Sequence, residues 1–558
     1  MRHAFLRGLV ANFKHNTNVV QTTFVTRAKE VINTCVSEDT ESNMNNTILR
    51  TTMRAPRLLL QGKRFRSSEP LASYEAPPLD QSFQPNMPGS KMPVFSPIDN
   101  ATGHVNMEKH SKKEWSASEL EEAIVKNSVY SWGASGPIHE SAIHVDRAEG
   151  VYFYDKNGKK YIDWSAGAVC TNLGHTVPRQ IADAASEQME KTAFVYGDLA
   201  THDARARLCS LLSEMSPGDL NGFFFASGGS EANECAIRAA RRYTGRPKIM
   251  SRPRSYHGGS TSSLSMTGDP RNWFVDGTTT GFVKMVEPFP LHYTWDDDVE
   301  KASEKCLNAL HDQILFEGPH SIAAIVLEAI TGANGWLKTP TSFMQGVRAL
   351  CDEYGILLIS DEVMNGFGRT GKMFGFQHFD GVVPDMYTFA KGVTSAYLPL
   401  SGVGMRDEIF DFFRTNPIGY GSTYFAHPVC CAVAYETLKY TIDNDIVGHV
   451  ADMEKVMENE MAKLVDIHPS VKQARVSGLG AGFDLAGKDG NFLMNMHEPH
   501  PGVNFLKKRF VEEGLVTLMR GHHVHCTPPL IISEDEIKEG FEMMHRALND
   551  LDDFIMSN

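Results

Sequence analysis

Cysteine is sparse and shows no pairing pattern: nine residues, at 35, 170, 209, 235, 306, 351, 430, 431 and 526, with no C-x-x-C and no zinc-ligand spacing. An odd, scattered set excludes a disulfide framework and points to buried thiols in a reducing compartment. Long apolar runs are also missing. Stretches such as IAAIVLEAI (322–330) fall far short of the roughly 20 residues that span a bilayer, so no membrane partner is expected. Positive charge is in deficit, with 54 Lys and Arg against 68 Asp and Glu and a formal net charge of −14. That excludes broad attraction to nucleic acid, and any anionic ligand has to be captured locally. No internal repeat is found, which removes solenoids and propellers.

What remains is a chain of 558 residues, 42% hydrophobic and 22% charged, too long for one core and ordinary for a multi-domain soluble enzyme. Residues 1–29 carry five basic side chains and no acid, and residues 42–68 carry six more, again without acid. Residues 1–68 therefore read as an organelle transit segment, with the mitochondrial matrix expected and a plastid or the cytoplasm as alternatives. Seven prolines between Pro70 and Pro97 make 69–114 an extended, partly disordered linker.

From about 220 to 405, strand-length apolar runs alternate with helix-length stretches. FFFA (223–226), KIM (248–250), AAIVL (323–327), ILLIS (356–360) and MYTFA (386–390) are the runs. Alternation of this kind predicts an α/β fold with a mainly parallel sheet, in which ligands bind beyond the carboxyl ends of the strands. The residues just past those ends are Ser227 to Glu231, Glu328, Asp361 and Lys391. The expected layout is an N-terminal segment (115–170) packing with a smaller α+β C-terminal domain (431–558), around a large domain at 171–430.

Three strand-end features carry chemistry. In ASGGSEANE, Gly228, Gly229 and Ser230 sit between a strand and a helix, where free N–H groups and a positive dipole end suit a phosphate. Asp361 closes an apolar strand, where a carboxylate needs a cationic partner such as a protonated pyridine nitrogen. Lys391 closes another, where desolvation would depress its pKa and make it an amine nucleophile. Taken alone, each could be a capped turn or a solvent-facing charge. Together they describe a pyridoxal-phosphate site.

At this point the chain resembles the class III aminotransferases of fold type I, over about residues 115–550. The motifs are GGSEANE (228–234), SYHG (255–258), DEVMNGFGRTG (361–371), FAKG (389–392) and GSTYFAHP (421–428), in family order. The resemblance implies pyridoxal 5'-phosphate as cofactor, cradled by Gly229 and Ser230, with Tyr256 stacked on its ring and Val363 on the opposite face. It further implies Asp361 on the pyridine nitrogen, Lys391 as the Schiff-base lysine and proton carrier, and Thr423 reaching the phosphate of the neighbouring subunit in a homodimer. Arg520 matches the position that binds a substrate carboxylate.

Where the ornithine and 4-aminobutyrate subgroup carries a second glutamate, five residues beyond Glu328, this chain has Ala333. That looks closest to the omega-amino-acid:pyruvate enzymes, including taurine:pyruvate and beta-alanine:pyruvate types. Ala329 and Val169 depart from family usage and bear on the donor. The readings open at this stage are an aminotransferase between an omega-amino donor and a 2-oxo acid, a same-fold decarboxylase or aminomutase, and a cofactor-free binding protein.

Three other motifs are set aside. GFGRTGKM (366–373) lacks the hydroxyl of a nucleotide-triphosphate loop, and GLGAG (478–482) is followed by FDLAGKDG rather than a helix. His522, His523, His525 and Cys526 lie in a strand-like stretch whose residues alternate faces, and no metal is expected.

Overall fold

The computed structural model describes residues 105, 107–112, 114–274, 280–290, 294–494 and 500–557. The transit-like segment and nearly all of the proline-rich linker lie outside the described residues. The chain divides into a unit ending at Trp115 and a unit from Ser116 onward. In the first, the described part is a short helix, Met107–His110, with Lys109 Nζ 4.8 Å over the Trp115 ring.

The second unit is built on a seven-stranded sheet: β1 (Gly222–Ala226), β2 (Lys248–Ser251), β3 (Phe282–Lys284), β4 (Ile322–Leu327), β5 (Leu357–Asp361), β6 (Met386–Phe389) and β7 (Ser401–Met405). Its spatial order is β1-β7-β6-β5-β4-β2-β3. All five apolar runs named from sequence are strands here. β3 and β7 are additions: β3 has only three residues, and β7 reads SGVGM, with two glycines where a strand signal calls for bulk. β7 runs antiparallel to β1 and β6, and the other neighbours are parallel.

Every residue of β4, β5 and β6 is buried, as expected where helices cover both faces of a parallel sheet. Helix α1 (Gly229–Thr244) lays Ala232, Ala236, Ala239 and Ala240 against Ala323, Ala324, Ile359 and Met386. Small side chains on both surfaces let the helix approach the sheet closely, which brings its first turn over the strand ends. Truncating the fully buried Ile359 to alanine in such packing costs about 2–5 kcal/mol.

After helix Pro428–Asp443 come helix Ile446–Ile467, an antiparallel sheet (Val471–Ser477, Gly480–Leu485, His523–Cys526, Met519–Arg520), helix Pro501–Glu513 and a last helix, Glu534–Ser557. Strand Lys160–Asp163 pairs in parallel with Leu515–Val516. One core joins Val151, Ile162 and Trp164 to Val450, Phe483, Leu506 and Phe541. Of the set-aside motifs, 366–373 is turn, and 478–482 is a turn leading into a strand.

Candidate active site

Register explains why the acids and the lysine meet. Ser360 pairs with Leu327 and Asp361 with Thr388, so Glu328, Asp361 and Thr388 line up across the carboxyl edge of β4, β5 and β6. Lys391 follows β6 by two residues on the same edge. Its φ of 48° is left-handed for a side chain that disfavours that region, a strain of order 1–3 kcal/mol of the kind found at functional sites.

Asp361 is the most constrained group. Its Oδ2 accepts from His257 Nδ1 at 2.7 Å and from Asn233 Nδ2 at 3.0 Å, and its Oδ1 accepts from the Val363 N–H at 3.0 Å. Burial alone would raise its pKa, but these donors outweigh burial and the net shift is downward. It is therefore an ionised carboxylate with an accepting site still open on Oδ1. Asn233 also donates to the His257 carbonyl and accepts from Thr388 Oγ1, which ties α1, the loop after β2 and β6 to one carboxylate.

Around this core stand the other residues named from sequence. Gly229 opens α1 with Gly228 as its cap, and a methyl group at Gly229 would come 2.8 Å from Val363 Cγ1. Ser230 Oγ accepts from the Gly259 N–H at 3.0 Å and keeps its own hydrogen to donate. Gly258 has φ of 136°, and a side chain there would collide with Ser230 Oγ, so the chain turns tightly over the helix start. Tyr256 is fixed through its N–H to Glu328 Oε1 at 3.2 Å, and Glu328 Oε2 accepts from Gly332 N at 3.1 Å. Burial pushes Glu328 up to about 7. Lys391 is lowered, first by burial, and among the described residues nothing bonds its Nζ.

Arg520 extends this space. Partial burial and then the like charge of Arg271 lower its pKa, while Asp269 opposes them. No ion pair or hydrogen bond engages its guanidinium among the described residues. Thr423 is the exception to the gathering: it is exposed in the segment before helix Pro428–Asp443, and no contact within the chain joins it to the strand-end residues.

His257, Asn233, Thr388, Arg271 and Trp132 belong to this region and were not singled out from sequence. The signal for the first two was present, because SYHG and GSEANE contain them. Arg271 lies in an unpatterned loop, its guanidinium 3.4 Å from the Tyr256 ring centre. His522 and His523 do come together, with Asp484, their ligand atoms within 4.8 Å of one another. Alternation does not separate them because His522 precedes the strand that begins at His523. The Asp484 carboxylate is already shared between His523 and Arg475, while His525 accepts from Trp336 Nε1 and Cys526 is buried.

A carboxylate held ionised with an acceptor site open, an unbonded amine beside it and a helix start closed over by glycine fit the pyridine nitrogen, aldehyde carbon and phosphate of pyridoxal phosphate. The family model for aminotransferase class III matches residues 135–548. The chain belongs to the class III aminotransferases. The cofactor is pyridoxal 5'-phosphate, and the reaction exchanges an amino group between an amine donor and a 2-oxo acid.

Among solved structures, taurine:2-oxoglutarate aminotransferase from Bifidobacterium kashiwanohense, in complex with PLP and glutamate, is similar with a TM-score of 0.75 and 36% identity, over 80% of this chain and 100% of that one. An (S)-enantioselective omega-transaminase from Thermomicrobium roseum gives 0.73 and 33%, over 79% and 100%. Gamma aminobutyrate transaminase 3, chloroplastic, of Solanum lycopersicum is 32% identical over 429 residues, 73% of this aminotransferase and 80% of the relative. No described helix is long and apolar enough to cross a membrane.

Proposed function

We propose that this aminotransferase moves the amino group of an omega-amino donor, such as taurine or beta-alanine, to pyruvate or another 2-oxo acid by a ping-pong mechanism. The observation that carries this reading is the unpaired Arg520: with Ala333 where a second glutamate would neutralise it, the guanidinium is free for a substrate carboxylate. It can equally stand aside for a donor that has no carboxylate next to its amine.

In this reading Lys391 bonds the cofactor at rest. Once displaced, its amine, kept closer to neutrality by burial, takes the proton from the substrate carbon and returns it to the cofactor side. When bound, the cofactor's ring supplies an electron sink for the carbanion. Asp361 holds the ring nitrogen protonated, and His257 and Asn233 hold Asp361 ionised. Gly229 and Ser230 receive the phosphate at the start of α1. Val363 and Tyr256 clamp the two ring faces.

Thr423 is assigned to the phosphate of the neighbouring subunit of a homodimer. Its exposure supports this, as do the exposed apolar side chains Phe194, Tyr196 and Tyr424 nearby in sequence or contact. A mitochondrial location is supported by the acid-free basic segments and by relatives named as mitochondrial, such as the probable gamma-aminobutyrate transaminase 3 of Oryza sativa. The test is stoichiometry: taurine or beta-alanine with pyruvate should yield one alanine per donor consumed. Release of carbon dioxide, or amine movement without an acceptor, would instead select a decarboxylase or an aminomutase.

A further inference from the structure

Arg271 has no role in the assignments above, yet it faces the same space as Lys391. Asp269 grips it from one side: Arg271 Nε donates to both carboxylate oxygens, at 3.0 and 3.1 Å, Nη2 donates to Oδ2, and the Arg271 N–H donates to Oδ1 at 3.0 Å. Asn334 Nδ2 adds a longer contact to Asp269 at 3.4 Å. The guanidinium plane is thereby fixed, 3.4 Å from the Tyr256 ring centre and 5.7 Å from that of Trp132, and the two rings meet edge-on at 6.2 Å. Nη1 has no bond within the described residues and is the free end of this clamp. The charge of Arg271 is felt at Lys391, Tyr256, His525 and Arg520.

Two guanidiniums therefore open onto one cavity. Arg520 has no carboxylate, and Arg271 shares only Asp269, which orients it through Nε and Nη2 and leaves an edge exposed. Like charges held this near are mutually unfavourable until an anion lies between or across them. A ligand with one acid group satisfies one arginine. A ligand with acid groups at both ends satisfies both, each by a charge-assisted hydrogen bond.

We infer that Arg271 is a specificity-determining residue that binds the distal acid group of the substrate, so that the preferred acceptors are 2-oxo dicarboxylic acids of four or five carbons. This rests on the reading of Arg520 as the site of the carboxylate next to the reacting carbon. In the donor half-reaction the same residue receives the only acid group of an omega-amino acid or an aminosulfonate. One distal site thus serves both substrates in turn, as a ping-pong cycle in a single cavity requires.

The experiment compares glutarate with pentanoate, unreactive five-carbon acids with two and one carboxylates, titrated calorimetrically into the holoenzyme. Glutarate should bind at least tenfold tighter. Arg271→Ala should cut glutarate affinity tenfold or more while changing pentanoate less than threefold, and Arg271→Lys should recover most of the loss. In turnover, the ratio of kcat/KM for 2-oxoglutarate over pyruvate should fall at least tenfold in Arg271→Ala. Should that variant fail to fold or lose cofactor, the wild-type preference and the Arg271→Lys titration decide the matter. Equal binding of the two acids by the wild type, or equal loss of both in Arg271→Ala, overturns the inference. If wild-type alanine–pyruvate exchange persists in that case, the function proposed above stands without it; if no 2-oxo acid is turned over at all, it is that function which fails.

Discussion

His257 Nδ1 donates to Asp361 Oδ2 at 2.7 Å, and both side chains are buried. A carboxylate kept ionised by its neighbours, in a place where burial favours the neutral acid, is what the proposed partner of a protonated ring nitrogen requires. Asp361→Asn should therefore retain cofactor but slow the amino-transfer step strongly, because a neutral amide cannot hold that proton. Single-turnover rates with a good donor check this, and a near-native rate would give Asp361 another task.

Lys391→Ala should abolish turnover with the fold intact, since one strained, otherwise unbonded side chain is removed. The variant should keep its cooperative thermal transition and lose the half-reaction. Appreciable transamination by it would remove Lys391 from the mechanism.

Arg520→Ala should lose a charge-assisted contact worth about 1.5–3 kcal/mol, on the order of ten- to a hundredfold in binding. The loss should be larger for alanine than for a donor without an alpha-carboxylate, such as taurine. Steady-state rates with pyruvate conceal this, because every full cycle still uses the arginine. Single-turnover change in cofactor absorbance, donor by donor, isolates the step, and equal losses would mean that Arg520 shapes the cavity generally.

Glu328 sets a pH signature. Its carboxyl is raised to about 7 by burial, against 4.5 for an ordinary glutamate. A raised acid favours the folded state below 4.5, and the advantage is lost as pH climbs through about 7. Glu328→Gln does not titrate, so wild-type stability relative to the variant should decline between those limits by about 3 kcal/mol, at 1.36 kcal/mol per unit. Denaturant unfolding at pH 4.5 and pH 8 measures it; a constant difference would mean that Glu328 titrates alike in folded and unfolded chains.

The five strands named from sequence were legible because strands buried on both faces must be apolar throughout, as IAAIVL and LLIS are. β7 was not, because its glycines make room for neighbours: a methyl group at Gly404 would strike the Tyr387 ring and one at Gly402 the Phe389 ring. Asp361 and Lys391 were legible as charges ending apolar runs. Their supports were not, since His257 lies 104 residues from Asp361 and Asn233 lies 128 away, and nothing local marks such a pairing. Arg271 was hidden for the same reason, its partners Tyr256 and Trp132 belonging to separate loops.

The place of β7 has a consequence for synthesis. β1, which leads into the proposed phosphate cradle, pairs within the sheet with β7 alone. A ribosome completes β1 at residue 226 but does not finish its partner until 405, so the cradle waits on an edge that every intervening strand leaves unpaired. Closing so distant a pair is slow, and an open edge invites association with other chains. Cofactor capture is thus a late event in the life of each polypeptide, and chains interrupted before residue 401 would carry Lys391 yet lack the strand that joins β1 to the sheet.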